Sequence, residues 1–225
     1  MARTSVVMPV RNGARFVRSA IDSVLSQLAA DDEIVVIDDK SVDDTIAVVK
    51  AVGDCRVRLL AGLGRGVSSA RNIGLAAVQG QFIAFLDHDD LWPLNRHAAL
   101  SQVLLADDSL DCAVGRIRLL NEADAVLSPE IRALDGRLAA NISLCAALFR
   151  RQIIDRVGGF DETMHHCEDT DYFLRMVEHS YRFKLCDIDT LIYRRHGSNT
   201  TRNTAAMQAG LLELVRRRRL RNAQH

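Results

Sequence analysis

Three carboxylates crowd one short segment, Asp87-His88-Asp89-Asp90, directly after the apolar run Phe82-Ile83-Ala84-Phe85-Leu86. Side chains this close repel one another unless a cation or a proton intervenes. At the end of a buried strand in an α/β fold they stand where ligands usually bind. A divalent ion held there by oxygen ligands is placed to grip a diphosphate. A second reading serves equally well: Asp89 or Asp90 can cap a helix that begins near Pro93. Both can hold together.

Other candidates lie along the chain. Asp38-Asp39 ends a second apolar run and suits a ribose or base hydrogen bond, although Asp-Asp-Lys-Ser is also a good turn sequence. Arg71 can hold phosphate oxygens in bidentate fashion, or stand as an ordinary solvated helix residue. Glu168, Asp169 and Asp171 open an amphipathic stretch, where acids complement the helix dipole. One of them, aimed into a crevice, could act as a general base. His196 could join carboxylate oxygens in a mixed site suited to manganese as well as magnesium. His165-His166-Cys167 makes a poor zinc site, because adjacent side chains diverge and no Cys-x-x-Cys supports them. Gly62, Gly64 and Gly66 do not make a dinucleotide fingerprint: the third glycine is misplaced and the loop follows the third strand rather than the first. The chain carries no P-loop, G-x-S-x-G or H-E-x-x-H.

The elements that must position these groups alternate in the first half, the pattern of a largely parallel sheet with crossover helices. Strands are expected over 5–10, 33–37, 56–61 and 82–86. Helices are expected over 14–28, from Asp43 or Asp44 through 52, over 68–78 and over 94–105. Beyond 108 the pattern loosens, with strands over 110–120 and 142–149, helices over 150–157 and 169–178, and short strands over 182–185 and 191–194. A last helix runs from about 204 to 215. One mixed α/β domain with a nucleotide-type first half follows.

The chain has 225 residues, 48% of them apolar, enough for a sizeable core. Its 29 basic and 29 acidic residues cancel, so no global field draws it to nucleic acid. Five widely spaced cysteines, an odd number, argue for a reducing compartment. With no signal peptide or membrane-spanning run in view, a cytoplasmic location is expected. The basic residues gather only at 216–221, Arg-Arg-Arg-Arg-Leu-Arg. Such a run reads as a solvated tail, or as a peripheral contact at the inner face of an anionic membrane.

Taken in order, these segments resemble the inverting family-2 glycosyltransferases with a GT-A fold, over about residues 4 to 201. The likeness begins at Val7-Met8-Pro9-Val10-Arg11-Asn12-Gly13, continues through Val35-Val36-Ile37-Asp38-Asp39 and Gly66-Val67-Ser68-Ser69-Ala70-Arg71-Asn72, and includes the D-x-D motif Asp87-His88-Asp89. Val157-Gly158-Gly159-Phe160-Asp161-Glu162, then Glu168-Asp169 and finally His196, complete it. The resemblance implies a mixed, mostly parallel sheet with flanking helices and a nucleotide-sugar-binding half at about 4–120. An acceptor-side half at about 121–201 follows, then a C-terminal helix and basic tail at 202–225.

It further implies that Pro9, Arg11, Asn12, Asp39, Arg71 and Asp87 bind the nucleotide-sugar, with Asp39 at the base and Asp87 near the ribose or metal. Asp89 and His196 would hold Mn2+ or Mg2+, and Asp169 would be the catalytic base. Arg11 stands where the family often has Tyr, and Lys40 where it often has Gly. A UDP-sugar donor and a glycan or lipid-linked acceptor in bacterial cell-surface glycan assembly are expected. Without the membrane helices of processive synthases, one sugar would be added at a time. Acceptor specificity is expected from about 121 to 140 and near His165-His166. Two other classes compete: a nucleotidyltransferase, which would release pyrophosphate, and a sugar-nucleotide or glycan-binding module without a base.

Overall fold

A computed structural model describes residues 3–120, 126–130, 143–197, 199 and 204–222, with 126–130, 204–207 and 222 as backbone. Strands β1 (Thr4–Val10), β2 (Glu33–Asp38) and β4 (Phe82–Phe85) are buried along their whole length. Strands covered on both faces must be apolar throughout, which is why they read as continuous hydrophobic runs. Strand β3 (Val57–Ala61) is half-exposed, as an edge strand can be. Strands β5 (Cys112–Leu120), β6 (Val126–Glu130), β7 (Ala147–Arg150) and β8 (Phe183–Arg194) complete an eight-stranded sheet. Its order is β3-β2-β1-β4-β7-β5-β6, with β8 paired to β5 off this path. The first four strands are parallel neighbours, β7 runs antiparallel to β4, and β8 runs parallel to β5.

Helices α1 (Val17–Leu25), α2 (Thr45–Lys50) and α3 (Val67–Ala77) link the parallel strands. Helix α1 buries Val17, Ala20, Ile21 and Val24, the i, i+3, i+4, i+7 stripe of an amphipathic helix. It starts later than expected because Gly13 O accepts from both Phe16 N and Val17 N at 2.9 Å, closing a turn first. A Cβ on Gly74 of α3 would lie 2.5 Å from a methyl of Val7, so only glycine lets α3 settle this close to β1. Because β1, β2 and β4 are parallel, their carboxyl ends share one edge, and the loops carrying the acidic residues open there. Pro9 lies near that edge. Val7 O accepts from Leu86 N on the β4 side, so Pro9, two residues on, turns its missing N–H toward a neighbour that has already ended.

The second half departs further from expectation. The stretch expected as a strand over 142–149 is a 3-10 turn, Leu144–Ala146, followed by β7. The two short strands expected over 182–194 are one, β8. Its acidic middle answers basic residues on β5: Asp189 accepts from Arg116 Nε at 3.1 Å and Arg118 Nε at 2.9 Å. Strand β6 was not foreseen, and the remainder of the region from 121 to 140 lies outside the described residues. Helices α4 (Arg96–Ala106), α5 (Arg151–Val157) and α6 (Glu168–Glu178) fall within two residues of their expected bounds.

Helix α7 (Thr204–Asn222) runs through the arginine cluster instead of stopping near Val215. Leu214 packs on Met164 and Cys167, apart from the main core. Arg217 pairs with Asp161 and Glu213, while Arg221 reaches Asp171 at 2.9 Å and Glu178 at 3.0 Å. Part of the expected solvated tail is therefore a docked helix. No helix among the described residues is long and apolar enough to cross a membrane.

Candidate active site

The loop after β4 carries Asp87 to Asp90, and the tip of β8 is laid beside it. Leu91 N donates to Ile192 O at 3.0 Å and Ile192 N returns a bond to Leu91 O at 2.9 Å. This two-bond bridge delivers the end of β8 to the acidic loop. His196 Nε2 then meets Asp89 Oδ2 at 3.0 Å. Asn199 Nδ2 lies 3.4 Å from the same oxygen, and the His196 ring stacks on Phe16 with centroids 4.6 Å apart. On the other side a Cβ at Gly13 would come within 2.3 Å of the His88 ring, so the loop after β1 closes on His88 only because residue 13 is glycine.

Asp90 is not a helix cap. Its Oδ1 accepts from Arg194 N at 3.0 Å, and helix α4 begins behind Asn95 with no side-chain cap. Burial, then the charges of Asp89 and Asp87, push Asp90 well above the usual carboxylate range. The Arg194 side chain donates to Asp89 O and, at 2.9 Å, to Ser19 Oγ. One residue of β8 thus fastens the acidic loop to helix α1. Nothing local in the sequence marks Arg194, Phe16 or Asn199 for these places, because the contacts span more than a hundred residues.

Asp89 and His196 offer one carboxylate oxygen and one imidazole nitrogen at a common point. That donor set fits Mn2+ as well as Mg2+. Among the described residues no group of three His, Cys, Asp or Glu side chains forms a metal site by itself. A cation held by this pair would take further oxygens from a ligand, as a diphosphate can supply.

Arg71 is buried, 1% exposed, and is no solvated helix residue. Its Nη1 donates to Asp169 Oδ1 at 2.5 Å and to Glu168 Oε1 at 3.1 Å, while Nη2 donates to Asp87 Oδ1 at 2.9 Å. Burial alone would lower its pKa, but the charges of Asp169, Asp87 and Glu168 overcome that and hold it charged. Asp169 itself is pushed up to about 7, chiefly by burial, with Arg71 opposing and Glu168 and Asp87 adding to the rise. Its side chain keeps 29% exposure, an opening through which a hydroxyl could arrive. Asp171, by contrast, is buried between Arg175 and Arg221.

The remaining expected residues, Arg11, Asn12 and Asp39, sit just past the ends of β1 and β2. Arg11 is exposed. Asn12 takes a left-handed φ of 52°, donates its N–H to Ser41 Oγ at 2.8 Å and accepts at Oδ1 from Val42 N at 2.9 Å. Its side chain ties the loop after β1 to the loop after β2. Asp39 is buried and accepts from Gly64 N at 2.7 Å and Gly66 N at 2.8 Å. The glycine run that fails as a fingerprint therefore has a different use: its amides hold Asp39. Asp38 Oδ2 accepts from Ser41 N at 3.2 Å, so the turn reading of Asp-Asp-Lys-Ser holds for Asp38. No metal cluster forms at His165-His166 among the described residues.

A family model described as glycosyl transferase family 2 matches residues 5–158. The chain is 29% identical over 218 residues to an uncharacterized glycosyltransferase of Rickettsia prowazekii, covering 91% of this chain and 67% of that one. It is 34% identical over 123 residues to an Escherichia coli UDP-Glc:alpha-D-GlcNAc-diphosphoundecaprenol beta-1,3-glucosyltransferase, covering 54% of this chain and 48% of that one. The crystal structure of S. aureus TarS 1–349 in complex with UDP-GlcNAc aligns with a TM-score of 0.75 at 17% identity, covering 90% of this chain and 61% of that one. A mannosyltransferase from Pyrobaculum calidifontis in complex with GDP-Man and Mn2+ aligns with a TM-score of 0.74 at 18% identity, covering 95% and 63%. The chain thus spans two thirds or less of the length of these relatives. At such identities the two structures speak for the fold, and the family match speaks for membership. The chain belongs to glycosyl transferase family 2 and is built on that family's GT-A fold.

Proposed function

We propose that this glycosyltransferase moves a sugar from a nucleoside-diphosphate donor, a UDP-sugar, to an acceptor hydroxyl in one inverting displacement. The observation that carries the reading is the single guanidinium of Arg71, bonded to Asp87 on the donor side and to Asp169 on the acceptor side. It puts a partly open carboxylate with a pKa of about 7 within one residue's reach of the acidic loop. Asp169 is the general base that takes the proton of the attacking hydroxyl. Pro9, Arg11, Asn12, Asp39 and Asp87 line the nucleotide side, at the loop ends of β1, β2 and β4. Asp89 and His196 would hold Mn2+ or Mg2+, which when bound supplies positive charge to the departing diphosphate. No covalent sugar-enzyme intermediate is needed.

The donor half is assigned to about 4–120 and the acceptor half to about 121–201. A lipid-linked or glycan acceptor in cell-surface glycan assembly is supported by the Escherichia coli relative, whose name specifies a diphosphoundecaprenol acceptor. Five widely spaced cysteines, an odd number, suit a reducing, cytoplasmic compartment. The test is product analysis with a panel of nucleotide-sugars and acceptors in manganese. Nucleoside diphosphate release with an inverted anomeric centre is expected. Pyrophosphate release would mean nucleotidyl transfer instead, and retention of configuration would remove the single displacement.

A further inference from the structure

We infer that Arg71 is a positioning residue for the base, fixing the Asp169 carboxylate and tying it to Asp87, and is not an anchor for the donor's phosphates. The inference rests on the reading of Asp169 as the base and adds a residue to that reading. Three carboxylates already occupy the two terminal nitrogens of Arg71. Its Nε has no partner among the described residues but is itself buried, and a guanidinium 1% exposed offers a phosphate almost no surface. One flank of Arg71 is covered as well, since it lies 5.4 Å from the Phe160 ring centroid.

That ring belongs to a block joining α3 to α6. Asn72, next to Arg71, donates to Phe160 O at 2.9 Å and accepts from Phe160 N at 2.7 Å. Phe160 stacks on Tyr172 of α6 with centroids 4.2 Å apart, and Tyr172 OH donates to Gly158 O at 3.0 Å. Arg71 and Asp169 therefore sit on one connected unit, while Asp87 reaches it from the end of β4. A planar fork can serve two sides of a site at once. A lysine ammonium, a point charge on a flexible stem, holds neither geometry.

The charged and titratable groups facing Asp169 are Arg71 from α3, Asp87 from the loop after β4, Glu168 and Cys167 beside it, and Cys145 from the 3-10 turn. Only Arg71 is cationic. Removing it must make the Asp169 carboxylate harder to ionise, whereas removing Glu168 must make it easier.

The experiment uses the full chain, metal-free, with carbon-13 at the aspartate carboxyls, and assigns Asp169 by its loss in Asp169→Asn. Its titration is followed in Arg71→Lys, Arg71→Met and Glu168→Gln, and UDP affinity in manganese is measured by calorimetry on the same variants. Arg71→Met should raise the proton affinity of Asp169 about tenfold or more, with UDP affinity changed less than about threefold. Arg71→Lys should raise it less, because the charge stays. Glu168→Gln, which keeps the buried cation and remains informative if Arg71→Met does not fold, should lower it. A tenfold loss of UDP affinity in Arg71→Lys with Asp169 titrating as in the parent would overturn the inference and make Arg71 a phosphate anchor. Normal turnover in Asp169→Asn is the separate result that removes the base itself, whatever the titrations show.

Discussion

Asp169 keeps 29% of its side chain exposed, and burial, with Arg71 opposing and Glu168 and Asp87 adding to the rise, pushes it up to about 7. A base works only after it has lost its proton. Turnover at saturating donor should therefore fall about tenfold for each pH step of one below 7 and level off above it, read from a pH-rate profile between about 5.5 and 9. Asp169→Asn should abolish this limb, lower turnover about a hundredfold or more, and leave UDP binding near its parent value. A profile flat across pH 7 in the parent would contradict the role. At Asp89 and His196, proposed to hold the cation, the expected outcome is different in kind. Asp89→Ala or His196→Ala should remove the manganese-dependent part of UDP affinity and leave what remains in EDTA unchanged. Calorimetry with the parent chain giving equal affinities in manganese and in EDTA would dismiss the cation altogether.

Among the elements, helix α7 invites a direct measurement. Cutting the chain after Val215 removes the pairing of Arg217 with Asp161 and of Arg221 with Asp171 and Glu178. The Arg217 pair is partly exposed and the buried Asp171 keeps Arg175, so the lost pairs contribute about 1 kcal/mol together. For a chain of this size that predicts a melting temperature lower by about 2–4 °C, seen by thermal unfolding followed by circular dichroism. An unchanged midpoint would show the last turns of α7 to be held by nothing that matters. How far elements like this could be read from the sequence depended on where their partners lie. Strands β1, β2 and β4 are covered on both faces, so their own composition announces them, and α1 shows its stripe locally. Strand β8 was read as two pieces because Asp187 and Asp189 break its apolar run, and their partners Arg116 and Arg118 lie on another strand. Arg71 read either as a phosphate holder or as an ordinary helix residue, and its place beside Asp169 escaped notice for the same reason: the two are 98 residues apart. The acidic loop stood out as a candidate site, yet Asp90 also looked like a helix cap, and only the distant Arg194 amide rules the cap out.

For the molecule as a whole the charges balance, and the basic run to consider lies on α7. Arg217 and Arg221 are taken up by the protein's own acids and Arg216 shares Glu213, so Arg218 and Arg219 are the members of the run without an acidic partner among the described residues. At about 1 kcal/mol each near an anionic surface, two arginines give weak, salt-sensitive adsorption. Co-sedimentation with phosphatidylserine vesicles should show slight binding at low salt that disappears at physiological salt, and strong retention there would demand another contact. The bridge between Leu91 and Ile192 has a consequence of another sort, for the order in which the chain folds. It fastens segments about a hundred residues apart, and a loop of that length closes only after much else is in place. The parallel strands, joined by short crossovers, should assemble first, and the histidine should reach its carboxylate last. The lone tryptophan, Trp92, is buried directly after Leu91 and lies over the Arg96 guanidinium at 3.9 Å, so its emission reports when that latch closes. In stopped-flow refolding the Trp92 signal should lag the far-ultraviolet circular dichroism, and two coincident traces would mean that sheet and site form in one step.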